Sequence, residues 1–195
     1  NDFEDKGISS LFTTLHVGAG TFKPVKSEVM EDHIMHAEYL NITIDFLENL
    51  LTKIHQPIIT VGTTSTRTLE SIYWMGNQIM QHPNITYDEL KITQWLPYET
   101  EAVATPEEAI HALVNWIKNT QQNHLSIETE IIIAPSYEFK IVKGLITNFH
   151  QPQSTLLLLV SALIGTDWKK IYSHALDNNY RFLSYGDGSL LMPKN

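Results

Sequence analysis

Residues 57–67, PIITVGTTSTR, determine the class of fold that the sequence predicts. The run from Pro57 to Val61 is apolar and rich in β-branched residues, which predicts a buried strand that ends at Gly62. Hydroxyl residues follow at once, and residues 65–80 carry apolar side chains at helical spacing. A strand that runs directly into a helix is the repeating unit of an α/β fold.

The alternation of strands and helices continues on both sides of this unit. Strands are predicted at residues 12–17, 34–42, 91–96, 130–134, 141–147, 180–184 and 189–192, and helices at residues 44–54, 106–119, 154–163 and 167–176. Thr105, Pro106 and Glu108 form the pattern of a capping box, so that helix has the clearest start. The sequence therefore predicts a layered α/β domain with a mixed, largely parallel sheet flanked by helices.

Composition and charge exclude several classes of protein. The chain has 195 residues, 43% of them hydrophobic, which is enough for one domain with its own core. It has no cysteine, which excludes a disulfide framework and a thiolate metal site. With no signal peptide pattern, we expect the cytoplasm. A formal net charge of −9 argues against nucleic-acid binding by bulk charge, although it is compatible with a local basic patch. No apolar run is long enough to span a membrane.

Small and polar residues follow four of the predicted strands. In α/β folds, ligands bind in the crevice beyond the carboxyl ends of the strands. The four segments are residues 18–21 (GAGT), 62–67 (GTTSTR), 147–150 (TNFH) and 185–188 (YGDG). We therefore expect these segments to form the ligand site.

The segment from 62 to 67 fits an anion site. The free N–H groups and the dipole of a helix N-terminus attract a carboxylate or a phosphate, and an arginine adds a charged contact. The residues are Gly62, Thr63, Thr64, Ser65 and Arg67. Simple capping is the alternative, with Arg67 paired to a glutamate such as Glu70. The glycine-lysine pair of a P-loop is absent.

Gly18 and Gly20 do not begin a dinucleotide fingerprint, because its third glycine would fall at Lys23 and no helix pattern follows. They fit a loop that approaches a ligand closely, or a plain turn.

In the segment from 147 to 150, Asn148 is suited to contact a base edge or a ribose hydroxyl, and His150 is suited to transfer a proton near neutral pH. A turn at Asn148 and a packed His150 are the alternative.

Two further segments allow more than one interpretation. Tyr185 offers a stacking face and Asp187 a carboxylate, although Gly-Asp-Gly is also a common tight turn. On an extended segment, His36 and Glu38 share a face that His16 can join, which is compatible with a metal site. His33 would point to the opposite face, and no HExxH pattern occurs, so hydrogen-bonded histidines are the alternative.

Five segments, in this order along the chain, resemble those of one enzyme family. They are TLHVGAGTFKPV (residues 14–25), EDHIMHAEY (31–39), VGTTSTRTLES (61–71), LITNFHQPQSTLLLLVSALIG (145–165) and YRFLSYGD (180–187). The family is that of the S-adenosylmethionine:tRNA ribosyltransferase-isomerases of queuosine biosynthesis. Gln151 and the stretch Ala134–Tyr137 depart from the usual family pattern, so a non-catalytic paralogue that binds S-adenosylmethionine or RNA is the alternative.

The resemblance implies a reaction and its partners. The ribosyl part of S-adenosylmethionine is transferred to the aminomethyl nitrogen of 7-aminomethyl-7-deazaguanine at the tRNA wobble position. It is rearranged to an epoxycyclopentanediol, which gives epoxyqueuosine and releases adenine and methionine. S-adenosylmethionine is thus a consumed substrate, and neither a further cofactor nor a metal is implied. The family has an α/β domain with an inserted β-barrel, so we expect residues 1–195 to be the C-terminal part of the α/β domain, without the barrel and the upstream half.

The resemblance also implies roles for individual residues. The candidate catalytic residues are His16, His36, Glu38, His150 and Asp187. The candidate substrate-binding residues are Gly18, Gly20, Thr21, Gly62, Thr63, Thr64, Ser65, Arg67, Asn148, Ser154, Thr155 and Tyr185. The candidate tRNA phosphate contacts are Lys23, Lys26, Lys140, Lys143, Arg67 and Arg181. A metal-dependent hydrolase that uses His16, His36 and Glu38 is a second alternative.

Overall fold

The structure is a computed structural model that describes residues 3–16, 35 and 37–194, with the backbone alone at residues 4, 15 and 16. Within these residues, six strands and six α-helices form the fold. Their bounds are β1 Thr14–His16, β2 Glu38–Thr43, α1 Ile44–Leu51, β3 Ile59–Val61, α2 Thr63–Gln81, α3 Leu96–Glu99, α4 Pro106–Asn119, β4 His124–Thr129, β5 Gly144–Asn148, α5 Thr155–Ile164, α6 Trp168–Asp177 and β6 Gly188–Leu191.

The first sheet, sheet A, has the strand order β1-β2-β4, and both of its pairs are antiparallel. Successive side chains of a strand point to opposite faces. Leu40 and Ile42 of β2 are therefore buried together with Leu125 and Ile127 of β4, whereas the alternate positions face outward. This alternation gives the sheet one face in the core and one face in solvent.

The second sheet, sheet B, has the strand order β3-β5-β6. Strand β3 runs parallel to β5, and β6 runs antiparallel to β5. The carboxyl ends of β3 and β5 therefore lie at the same edge of the sheet as the amino end of β6.

Helix α2 is the centre of the molecule. It is 19 residues long, and its residues from Thr66 to Asn77 are all buried. It packs closely against α4, because Gly76 has no side chain: a Cβ placed there would lie 1.9 Å from the Ala109 carbonyl oxygen. One hydrophobic core joins α2 to both sheets and to α5.

Hydroxyl side chains set the starts of three helices. Thr43 caps α1 by accepting a hydrogen bond from the Phe46 N–H, and Ser154 caps α5 by accepting one from the Leu157 N–H. At α4, Thr105 and Glu108 form the complete capping box that the sequence predicts. These local signals therefore placed the starts of α4 and α5 within one residue.

Two strand predictions in the middle of the chain were wrong. Residues 130–134 form no strand, and the strand of this region is β4, which begins six residues upstream. The run Ile131–Ile133 is apolar because all three side chains are buried, whereas β4 alternates between buried and exposed positions. The strand predicted at 91–96 is reduced to one bridge between Ile92 and Thr129, and α3 follows it.

The predicted strand at residues 180–184 was also wrong. Leu183 has a φ of 62° and begins a short 3-10 helix, and its N–H donates to the Phe149 carbonyl oxygen.

The α/β class and the mixed sheet are confirmed. The parallel share is smaller than predicted, because β3–β5 is the one parallel pair among the strands that the structure describes. None of the helices in the described ranges is long and apolar enough to cross a membrane.

Candidate active site at the carboxyl edge of sheet B

Three of the predicted polar segments meet at one edge of sheet B, which we call the carboxyl edge. Its residues are Gly62–Ser65 after β3, Thr147 and Asn148 at the end of β5, and Asp187 and Gly188 at the start of β6. The Gly62 N–H donates to the Ile146 carbonyl oxygen over 2.8 Å, and the Asn148 side chain donates to the Asp187 carbonyl oxygen over 3.2 Å. The strand order of sheet B thus joins segments that are 39 residues apart in one contact and more than 80 in the other.

The first turn of α2 presents free backbone donors at this edge. Gly62 is the N-cap residue with a φ of 92°, which favours glycine, and no side chain in the described ranges caps the helix. The first turn also contains no acidic residue. The N–H groups of Thr63, Thr64 and Ser65 therefore combine with the helix dipole to attract an anion.

Asp187 is held by Arg181 at the same edge. The Arg181 side chain donates to both carboxylate oxygens, over 3.0 Å from Nε and 3.3 Å from Nη2, and its backbone N–H donates over 2.6 Å. These contacts lower the pKa of Asp187, so its carboxylate is ionised near neutral pH. Tyr185 precedes it in the turn and is 76% exposed, which leaves its ring face open.

His150 lies beneath this edge and is 7% exposed. Its Nε2 is 2.9 Å from the Thr147 hydroxyl, and its backbone N–H donates to the Tyr172 hydroxyl over 3.0 Å. Burial lowers the pKa of His150 from 6.5 to about 4, so the ring is neutral at pH 7. Ser154 donates to the Gln151 carbonyl oxygen and caps α5, which Thr155 begins.

Arg67 and Glu38 form a buried ion pair one turn along α2 from the carboxyl edge. Arg67 Nη1 is 3.0 Å from a Glu38 carboxylate oxygen, and Arg67 Nε donates to the Ile131 carbonyl oxygen. Arg67 Nη2 is also buried, and no described residue forms a hydrogen bond with it. The guanidinium of Arg67 lies inside the core beside Glu38, and its predicted contact with an anion or a tRNA phosphate stays a prediction. The alternative pairing with Glu70 was wrong.

The Glu38 end of β2 lies beside the end of β1, where the backbone of His16 pairs with Tyr39. The ion pair therefore connects this end of sheet A to the first turns of α2, about 6 Å along the helix from Thr63. The predictions for Gly18, Gly20, Thr21, Lys23, Lys26, His33 and His36 concern residues that lie outside the described ranges. The side chain of His16 lies outside them too.

Glu70 is a buried polar residue that the sequence suggested only as a partner of Arg67. Its carboxylate accepts hydrogen bonds from the Tyr137 hydroxyl and from the N–H groups of Lys140, Ile141 and Val142, and Trp74 donates to Tyr137. Burial raises the pKa of Glu70, and the three N–H donors oppose that shift. The carboxylate fixes the turn before β5. No sequence signal indicates this role, because the partners lie about 70 residues away.

The predicted basic contacts differ in exposure. Lys140 is mostly covered: it pairs with Glu138 over 3.2 Å and lies near the Tyr73 ring. Lys143 is exposed, and Arg181 is exposed while bound to Asp187. Within residues 3–16, 35 and 37–194, no group of three or more histidine and acidic side chains has the geometry to hold a metal ion.

Comparison with known proteins identifies the family. A sequence profile described as "Queuosine biosynthesis protein" matches residues 1–191. The chain belongs to this queuosine biosynthesis family. The family resemblance that the five segments indicated is therefore confirmed over nearly the whole chain.

Relatives of known name are longer than this chain. It is 38% identical over 194 residues to the S-adenosylmethionine:tRNA ribosyltransferase-isomerase of Zymomonas mobilis, with 98% of this chain and 44% of that protein covered. It is 36% identical over 192 residues to the enzyme of the same name from Halothermothrix orenii, with 97% and 44% covered. The crystal structure of S-adenosylmethionine tRNA ribosyltransferase from Thermotoga maritima matches with a TM-score of 0.58 and 26% identity, over 98% of this chain and 47% of that one. The chain thus spans somewhat less than half of these relatives.

Proposed function

We propose that the chain is part of an S-adenosylmethionine:tRNA ribosyltransferase-isomerase that forms epoxyqueuosine in tRNA. The observation that carries this proposal is the convergence of three family segments at the carboxyl edge of sheet B, in a chain that matches the named relatives over almost its full length. Polar residues from different strands meet there around an open helix N-terminus, which is the usual position of a ligand site in α/β folds.

We assign the methionine carboxylate of S-adenosylmethionine to the first turn of α2. The N–H groups of Thr63, Thr64 and Ser65 are the donors for this anion. The first turn of α2 has no acidic side chain that would compete with the anion for these donors. A carboxylate bound there would leave the sulfonium and the ribose beside Asn148 and Asp187, because Val61 pairs with Ile146 and Asn148 pairs with Gly188. Asn148 and Tyr185 then provide a polar edge contact and a stacking face for a ribose or a base.

The protonation states of the candidate catalytic groups support different roles for them. Proton removal from the carbon next to the sulfonium requires a base, and the departing adenine requires a proton or a hydrogen bond. Asp187, ionised beside Arg181, can orient a cation or accept the proton of the attacking amine. His150 is neutral at pH 7 and therefore acts as a hydrogen-bonding group or as a base, not as a resting acid.

Glu38 is assigned a positioning role. Arg67 holds its carboxylate at the end of β2, beside the backbone of His16 in β1. An anchored strand end fixes the segment that follows His16, so the pair would position any group of that segment that contacts substrate. His16 and His36 remain candidates for the acid–base group.

Transfer-RNA with a modified wobble guanine is the proposed second substrate, and S-adenosylmethionine the first, consumed without a further cofactor. An acidic chain requires local cationic contacts to phosphates. Lys143 and Arg181 are the exposed candidates, and Lys140, which pairs with Glu138, is the weaker one. The cytoplasm, where tRNA is modified, is the proposed compartment.

The test is a reconstituted reaction with the protein expressed from its complete reading frame. S-adenosylmethionine and tRNA carrying 7-aminomethyl-7-deazaguanine are incubated with it, and mass spectrometry follows both the nucleoside and the small molecules. Release of adenine and methionine, with the epoxycyclopentanediol mass added to the nucleoside, is the expected result. Binding of S-adenosylmethionine without turnover would indicate the non-catalytic paralogue and overturn the proposal.

A Ser65→Asp variant tests the anion site separately. A new negative charge in the first turn suits the helix dipole and does not harm folding, but it repels a bound carboxylate. We expect weaker binding of S-adenosylmethionine with unchanged stability. Ser65→Asn, which has the same shape without the charge, is the matched control, and equal affinity for both variants would remove the carboxylate from this position.

A further inference from the structure

The face of sheet B that points away from the helices is apolar and exposed. Val61, Ile146 and Leu190 lie side by side across the three strands and are 69%, 41% and 59% exposed. Ile59 and Met192 continue the row, and both side chains lie over Gly144. These five residues form what we call the open face of sheet B.

The opposite face of the same strands is fully covered. Thr60, Leu145 and Leu191 occupy the alternate positions and are buried against the helices. The two faces are therefore nearly equal in apolar character, although among the residues that the structure describes only the inner face is covered by helices. A sheet with parallel strands usually carries a covering layer on both faces, and its strands are apolar for that reason.

Sheet A provides an internal comparison. Its outward positions on β2 and β4 are mainly polar: Tyr39, Asn41, Thr43, His124, Ser126 and Glu128. That is the composition expected of a sheet face in contact with water. Since the same chain makes a polar outer face on sheet A and an apolar one on sheet B, the open face has the character of a contact surface.

The length of the relatives identifies the occupant. This chain covers 44% of the Zymomonas mobilis protein and 47% of the Thermotoga maritima structure, so more than half of each relative has no counterpart here. We propose that the open face of sheet B is an interface, covered by the section of the family's polypeptide that this chain does not span. This inference does not rest on the assigned chemistry: Asn148 follows Ile146 on the same face of β5, but the apolar row of the open face ends before it.

The outer strands of sheet B strengthen this proposal. Neither the outer edge of β3 nor that of β6 has a strand partner in the part of the chain that the structure describes. An occupant can therefore lie across the apolar row and add a strand at an edge, which satisfies the backbone groups there.

Two single-cysteine variants test the proposal in the protein expressed from its complete reading frame. The 195 residues contain no cysteine, so each substitution introduces the one thiol of this section of the protein. Leu190→Cys places it on the open face of sheet B, and Ser126→Cys places it on the outer face of sheet A. Both positions are exposed in this chain, so neither change removes a buried contact. The rate of alkylation is followed at each position by peptide mass spectrometry. We expect at least about tenfold slower alkylation at position 190 than at 126, because an interface must open before the thiol reacts.

A cross-linking measurement identifies the occupant. The photo-reactive residue p-benzoylphenylalanine is placed at position 190 in the full-length protein. Irradiation is expected to link it to a section of the polypeptide that lies outside these 195 residues. Equal alkylation rates at positions 190 and 126 would overturn the proposal. Links between two copies of position 190, with protection that is lost on dilution, would also overturn it and would identify a second copy of the chain as the occupant.

Discussion

Arg67 and Glu38 form an ion pair of 3.0 Å although their side chains are only 5% and 2% exposed. Burial of both charges is costly, and their mutual attraction offsets that cost only while both are present. The pair joins the central helix to the start of β2, so the arrangement of α2 on sheet A depends on it.

Removal of Arg67 is expected to be strongly destabilising. An Arg67→Met variant removes one half of a buried ion pair, so the free energy of unfolding should fall by about 3–5 kcal/mol. The Arg67→Met/Glu38→Met double variant should recover much of that loss, because it removes both charges. Urea unfolding measures both values. A loss below about 1 kcal/mol in the single variant would mean that water reaches Glu38.

Gly76 is expected to tolerate no side chain. The Cβ of a Gly76→Ala variant would meet the Ala109 backbone, which cannot move aside as a flexible side chain can, so α2 and α4 must separate. We expect a loss of about 1–3 kcal/mol or more, despite the gain in helix propensity. Met80→Ala, at an exposed position of the same helix, is the control, and thermal unfolding measures both variants. An unchanged melting temperature for Gly76→Ala would contradict the close packing of the two helices.

The buried His150 is expected to make stability depend on pH. Its pKa is about 4 in the folded chain and 6.5 when unfolded, so the unfolded chain binds the extra proton as the pH falls. Stability is fully present above pH 6.5 and is lost between pH 6.5 and 4, by about 3 kcal/mol in total. Urea unfolding at several pH values should show a flatter profile for His150→Gln. The exposed His111→Gln serves as the control and should keep the steep profile of the wild type.

Asp187 is expected to matter for activity and little for stability. Its ion pair with Arg181 is solvent-exposed, and exposed pairs contribute little to folding. Asp187→Asn should therefore unfold at nearly the wild-type temperature. If the proposed reaction is the right one, its rate should fall by about a hundredfold or more, as expected for a group that takes part in proton transfer.

Asp167→Asn is the matched control for that variant. Asp167 also has a lowered pKa, from Lys194 and Lys170, but it lies at the start of α6, away from the carboxyl edge. Its substitution should leave the rate unchanged. Equal rates for the two variants would remove Asp187 from the candidate catalytic residues.

Local signals in the sequence identified most helices and the apolar strands beside them. The capping box at Thr105 and Glu108 and the serine cap at Ser154 depend on residues within one turn, so their pattern is visible in the sequence itself. The strand that ends at Gly62 was equally clear, because the glycine and the hydroxyl residues after it mark the start of α2. The segments 62–67, 147–150 and 185–188 were also predicted to form the ligand site, since ligands of α/β folds bind beyond the carboxyl ends of the strands.

By itself, the sequence therefore determined the family, the helix starts and the polar segments of the candidate site. Only the tertiary structure decided that Arg67 pairs with Glu38 inside the core, that Glu70 anchors the turn before β5, and that one face of sheet B is left open. These features depend on contacts between residues that are 29 to more than 70 positions apart, and on which face of a sheet meets the helices. Local periodicity contains neither kind of information, because it gives the alternation of a strand but not the partner of each face.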